Sequence, residues 1–168
     1  MADGTYQTTA TAMEDTQTCA VAYGPLLELA QSQPQVQRDL HRVMSRELAR
    51  GQWHMLLLGH MRAPERLASL LLDLSQRAAA RGYSPSEFNL RMTRSDIGSY
   101  LGVSAETICR LFRDFKDLKQ LDVDARHVRF VDLPAFARAY GTTVRWHPHA
   151  VAAVTRDGAD LRLHAQPM

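Results

Sequence analysis

The stretch from Thr93 to Phe115, TRSDIGSYLGVSAETICRLFRDF, leaves a chain few ways to fold. It reads as two short helices joined by a tight turn. Thr93 is a good N-cap, and Asp96 three residues on approximates a capping box with it. Ile97 and Leu101 give the first helix an apolar face, and Gly102 lets the chain turn sharply. Ser104 caps a second helix. On it Ile108, Leu111, Phe112, Phe115 and Leu118 fall three and four apart, as one buried stripe. Glu106, Cys109, Arg110 and Arg113 share the other face. A helix held by its apolar face, with Glu and Arg turned outward near its N-terminal end, is what a reader of the DNA major groove needs.

Net charge is only +2 in 168 residues, so a nucleic-acid reading rests on where the basic residues sit. Hydrophobic content of 45% with 23% charged residues predicts a packed core rather than disorder. Cys19 and Cys109 are far apart and form no CxxC pair, which suits a reduced, cytoplasmic compartment. The polar N-terminus has no apolar segment of a signal peptide. No apolar run, Met55 to Leu58 included, is long enough to cross a bilayer, so no membrane is expected as a partner.

Along the chain, Thr5–Met13 and Thr18–Ala22 read as two short strands of a hairpin, which alone is marginal in water. Cys19 is then a half-buried strand residue. Leu26, Leu27 and Leu29 suggest a short helix ending before Pro34. From Gln35 to Met61, Val36, Leu40, Val43, Met44, Leu48, Met55 and Leu58 form a helical stripe suited to a coiled-coil seam. Gly51 weakens its middle, since an interior Gly costs a helix roughly 1 kcal/mol relative to Ala. The dimer interface expected from this is Leu40, Val43, Met44, Leu48, Gly51, Met55 and Leu58. His41, His54 and His60 form no HExxH pair and read as polar-face or seam residues.

Ala63-Pro64 breaks the long helix, and Pro64 suits the first position of the next. Leu67, Leu70, Leu71, Leu74 and Ala78 form a core stripe closed by Gly82. Phe88 to Met92 alternates as a short strand. Leu121–Val123 and His127–Val131 read as a wing hairpin around Asp124-Ala125-Arg126, with Arg126, His127 and Arg129 facing phosphates. Leu133, Phe136, Ala137 and Tyr140 make a last helix stopped by Gly141. The fold class is mainly α with a small β component (α+β). Residues 1–24 form a hairpin, 25–62 a connector and long dimerisation helix, 63–141 a winged helix-turn-helix domain, and 142–168 a tail. In the tail, His147 and His149 flank Pro148 without a site around them.

Roles follow for the second helix of the opening stretch. Arg110 is placed to bond guanine O6 and N7, and Glu106 to accept from a cytosine N4 amine. Thr93, Arg94, Ser104, Thr107, Arg113 and the wing's Arg126 are expected on phosphates. The alternative for Glu106 and Arg110 is a surface ion pair worth a few tenths of a kcal/mol.

The quoted motif MTRSDIGSYLGVSAETICRL resembles the helix-turn-helix of the Crp–Fnr superfamily of bacterial transcription regulators, the Fnr-like branch in particular. The family form is T-R-x-D-I-G-x-Y-L-G followed by V/A-E-T-x-S-R. RLASLLLDLSQRAAARGYSPSEFNLRMT and AMEDTQTCAVAY extend the resemblance over roughly residues 3 to 141. It implies that residues 1–24 are the last hairpin of a sensor β-roll, whose preceding hundred or so residues are missing here, and that the long helix is the dimer interface. It implies double-stranded DNA as partner, read by a homodimer at an inverted repeat of TTGAT-like half-sites, and adds RNA polymerase as a further partner. Glu106 and Arg110 match the family's base readers, and Cys109 stands where Ser is usual. The cysteines that accompany Cys19's position in oxygen sensors are absent, so no cluster and no other cofactor is expected. Lys119 and Ala125 stand where the family commonly has Gly, and each costs about 1 kcal/mol if φ there is positive. The competing expectation is an interaction protein that forms heterodimers with a full-length relative, or a decayed fragment. No nucleophile, phosphate loop or metal motif supports an enzyme.

Overall fold

A computed structural model of the chain describes residues 9–140, together with two short paired strands, Ala153–Val154 and Leu163–His164. The expected stop at Gly141 and the His147 and His149 pair lie outside the described residues. Helix α1 spans Tyr23–Ser32 and folds back against the start of α2, burying Ala30. Helix α2 runs from Pro34 to His60, 27 residues, or about 40 Å at 1.5 Å per residue. Pro34 sits in its first turn, where the missing N–H has no helical partner in any case. The helix continues through Gly51 without a break.

Helix α3 (Ala63–Ala80) begins at Ala63, so Pro64 is its second residue rather than its first. It ends with Tyr83 N–H donating to Ala78 and Gly82 N–H to Ala79, which satisfies two last-turn carbonyls. The next elements are β1 (Glu87–Asn89), α4 (Arg94–Leu101), α5 (Ala105–Asp117), β2 (Leu121–Asp124), β3 (His127–Phe130) and α6 (Leu133–Tyr140). The three strands form an antiparallel sheet in the order β1-β3-β2. β1 is shorter than expected, because Leu90 to Met92 leave the ladder to reach the Thr93 cap; Leu90 keeps one bond, its N–H to the Arg126 carbonyl at 2.8 Å.

One core joins these elements. Leu67 and Leu71 of α3, Ile97 and Leu101 of α4, Ile108 and Phe115 of α5, Leu121, Val128 and Phe136 are all buried. Phe115, Phe130, Phe136 and Tyr140 meet edge-on or tilted at 4.9–5.5 Å between ring centroids. Ser75, the one polar residue in the buried set of the described chain, donates its hydroxyl to the Pro85 carbonyl at 2.6 Å.

Three further expectations need correction. Residues 9–22 form no strand and are exposed, Cys19 included, since no strand among the described residues pairs with them; residues 5–8 of the first expected strand lie outside the described residues. Leu118 is 63% exposed, because α5 ends at Asp117 and the chain turns away there. Leu58 faces its own winged domain, where it packs on the core, rather than continuing the outer seam.

Lys119 and Ala125 both adopt positive φ, 54° and 49°. Lys119 closes α5, its N–H donating to Lys116 while Gln120 N–H reaches Phe115. Ala125 opens the two-residue wing turn. Lys119→Gly and Ala125→Gly should each raise stability by about 1 kcal/mol, as relief of the left-handed backbone predicts. Urea unfolding checks this, with a higher midpoint and an unchanged slope.

Candidate nucleic-acid interface

The interface is built on the pair α4–α5. Thr93 caps α4 with its Oγ1 accepting from Asp96 N–H at 3.1 Å, and Asp96 returns a bond from Thr93 N–H at 2.8 Å. The Thr93 hydroxyl also donates to the Asp96 carboxylate at 2.6 Å, so it is committed locally. These two bonds from Thr93, side chain first and backbone second, hold the Asp96 carboxyl below its ordinary range. Gly102 takes φ 65° at the end of α4, and Val103 N–H donates back to the Gly98 carbonyl at 2.9 Å. Ser104 caps α5 by accepting from Thr107 N–H at 3.1 Å, and the two hydroxyls share a bond at 2.9 Å.

The α5 face that does not enter the core carries Glu106, Cys109, Arg110 and Arg113, all exposed. Glu106 sits in the first turn, where the helix dipole favours a carboxylate. Among the described residues, none of Glu106, Arg110 and Arg113 forms an ion pair. The alternative of a Glu106–Arg110 surface bridge is therefore not adopted, and both side chains are available to a ligand. Arg126 is exposed at the wing turn and is likewise outside the ion pairs. Arg129 is held by Asp122, directly across the β2–β3 ladder.

Arg94 is placed differently from the expectation. Its guanidinium lies 3.8 Å from the centroid of the Phe112 ring and donates to the Ala125 carbonyl at 2.9 Å. Burial lowers its pKa from the ordinary arginine value. Arg94 thus ties the start of α4 to the back of α5 and to the wing. Of the residues expected on DNA, Thr93, Arg94, Ser104, Glu106, Thr107, Cys109, Arg110 and Arg113 share the helix pair, and Arg126 stands on the hairpin that Arg94 reaches.

Residues 65–139 match the Crp-like helix-turn-helix domain. The transcriptional regulatory protein btr of Bordetella pertussis is 39% identical over 141 residues, covering 84% of this chain and 58% of that protein. The transcriptional activator protein FnrA of Stutzerimonas stutzeri is 42% identical over 127 residues, covering 76% of this chain and 52% of that protein. The chain belongs to the Crp–Fnr superfamily. FixK2 from Bradyrhizobium japonicum has the same fold at 31% identity and a TM-score of 0.64, covering 70% of this chain and 58% of that one. The chain spans about half the length of the curated relatives it matches.

Two features of the α4–α5 interface in this Crp–Fnr domain escaped the reading of the sequence. The stacking of Arg94 is one; nothing in the spacing of residues 94, 112 and 125 announces it. The other is Gly98, where a Cβ would stand 2.6 Å from the Val103 carbonyl oxygen. An interior glycine in an eight-residue helix was the available signal. Gly98→Ala should cost about 1–3 kcal/mol by overpacking against backbone, and should weaken any DNA binding in proportion to the lost turn. Thermal melting and gel-shift titration check both.

Asp96 gives a pH prediction. Its folded pKa lies below the ordinary aspartate range, so its contribution is present above that range and is lost as pH falls through the lower, folded value. Asp96→Asn should therefore lower stability at neutral pH and flatten the acid limb below about pH 4. Urea midpoints at pH 7 and pH 3 separate these outcomes.

Proposed function

We propose that the chain is a sequence-specific DNA-binding transcription regulator. It binds as a dimer, with two copies of α5 in successive major grooves of an inverted repeat. The single observation that carries this is the outer face of α5: Glu106 and Arg110, one turn apart, exposed and unpaired, on a helix whose other face is locked in the core. Arg110 then reads guanine and Glu106 the cytosine amine. Cys109 offers a weak donor at the third position and shifts the preference there. By family resemblance the half-site is TTGAT-like, and RNA polymerase is the further partner. The exposed stripe Val43, Met44, Leu48 and Met55 of α2 supports pairing with a second copy. With this reading no reaction is catalysed and no cofactor is required.

A second reading has its own observation in favour. The same stripe would accept a full-length relative, and two residues in left-handed backbone weaken this copy's own winged domain. This chain would then act by forming heterodimers. Equal DNA affinity for the lone chain and for a mixed dimer would count against it.

The test is titration of the purified chain onto a TTGAT inverted repeat and a scrambled duplex, at 50 and 200 mM salt. The repeat should bind tighter, and added salt should weaken binding by orders of magnitude if several phosphates are contacted. Arg110→Ala should cost about 1–3 kcal/mol on the repeat and nothing on the scrambled duplex. Equal weak binding to both duplexes would sink the reading.

A further inference from the structure

Arg66 stands where two helices end. Helix α2 stops at His60 and α4 at Leu101, and each leaves last-turn carbonyls without helical partners. Arg66, in the first turns of α3, donates Nη2 to the Leu58 carbonyl at 2.7 Å, Nε to Met61 at 2.8 Å and Nη1 to Leu101 at 3.0 Å. One guanidinium therefore joins the C-termini of both helices, and its charge suits the negative end of each dipole. The turn that follows α4 is pressed against the same place. A Cβ at Gly102 would lie 3.3 Å from the Leu58 side chain and 3.5 Å from Arg66 Nη1.

The geometry points to Arg66 as a positioning residue that fixes the angle between α2 and the helix-turn-helix, and so sets the separation of the two recognition helices on DNA. This rests on the DNA-reading dimer proposed above. Arg66 belongs to neither the base-reading face nor the exposed stripe, so it acts through the joint between them. The three carbonyls lie along the planar fork of the guanidinium, whose donors have fixed directions. A Lys ammonium keeps the charge and most of the stem but not the fork. The consequence is a half-site spacing written into the protein: α2 orients each copy relative to the other, and Arg66 orients each reading helix relative to α2.

The experiment compares the full wild-type chain with Arg66→Lys on three kinds of duplex. These are a single half-site, the inverted repeat, and repeats whose centre is lengthened or shortened by a base pair, which shifts one half-site by about 3.4 Å and rotates it. Wild type should favour one spacing by about tenfold or more, the size of a single mismatch. Arg66→Lys should keep single-half-site affinity while that preference flattens. A reading independent of DNA uses Cys109, which is exposed on α5. With Cys19→Ser, spin labels on Cys109 of two copies report the separation of the reading helices. The distance distribution should be narrow in wild type and at least about twice as broad in Arg66→Lys, with helical circular dichroism unchanged. A variant that keeps both the sharp spacing preference and the narrow distribution overturns the proposal. So does one that loses single-half-site binding together with helicity, which would make Arg66 merely structural. A wild type that cannot distinguish the half-site from a scrambled duplex sinks the DNA reading instead, and the label distances still judge the clamp.

Discussion

The angle between α4 and α5 depends on a contact that leaves no room for a side chain. At Gly98 the backbone of α4 meets the backbone of the turn, and a Cβ would stand 2.6 Å from one carbonyl oxygen and 3.2 Å from the Ala105 nitrogen. The Val103 N–H closes the same loop onto the Gly98 carbonyl. With both caps in place, α5 has one orientation available. Its apolar residues Ile108, Leu111, Phe112 and Phe115 enter the core in that orientation, and Glu106, Cys109, Arg110 and Arg113 are left outside. The chemistry of the outer face is therefore a consequence of packing on the inner one. A polar face alone would be a solvated surface; a polar face on a helix this firmly held is a presented one.

The wing is held by fewer and weaker devices. It hangs from α5 through Lys119 and turns at Ala125, both in left-handed backbone. Arg94 compensates in part, because its guanidinium spans from Phe112 to the Ala125 carbonyl. A half-buried cation over an aromatic ring is worth on the order of 1 kcal/mol, comparable with the strain of one such residue. This use of Arg94 removes it from the simplest role of a phosphate contact. It leaves Arg126 as the wing cation outside the ion pairs of the described residues.

The helix-turn-helix was legible because its signals are local. Caps at Thr93 and Ser104, a glycine at the turn and a three-four apolar spacing are all written within a few residues of where they act. Lys119 and Ala125 were legible for the same reason, as residues without the freedom of the glycine the turn favours. Residues 9–22 were misread as part of a hairpin because a strand-like composition around a polar turn supplies no neighbouring strand to pair with. Leu118 was misread by extending a period past the last helical turn. Leu58 fell on the α2 stripe by spacing alone, yet the helix is shared between two environments, and its last turns belong to the winged domain. Arg66 could not be read at all. Its acceptors are backbone carbonyls, which every residue carries, and one of them lies 35 positions away.

Those two environments of α2 bear on how dimerisation and DNA binding are related in the proposed assembly. Trp53, Leu57 and Leu58 pack on the core of the winged domain, while Val43, Met44, Leu48 and Met55 are 54–68% exposed. Completing the burial of one such side chain is worth roughly 1 kcal/mol or somewhat more, about half of the value for full burial. Eight of them across a symmetric seam give on the order of 10 kcal/mol, against an association cost of about 4–15 kcal/mol. The seam alone is then near balance. Two adjacent half-sites change the balance, because the first bound copy raises the effective concentration of the second without any new protein contact. By the same linkage, a change that strengthens the α2 seam must tighten DNA binding, and a change that weakens base reading must loosen the dimer on DNA. A helix that is continuous through Gly51 and clamped at its end carries that linkage from the seam to the groove.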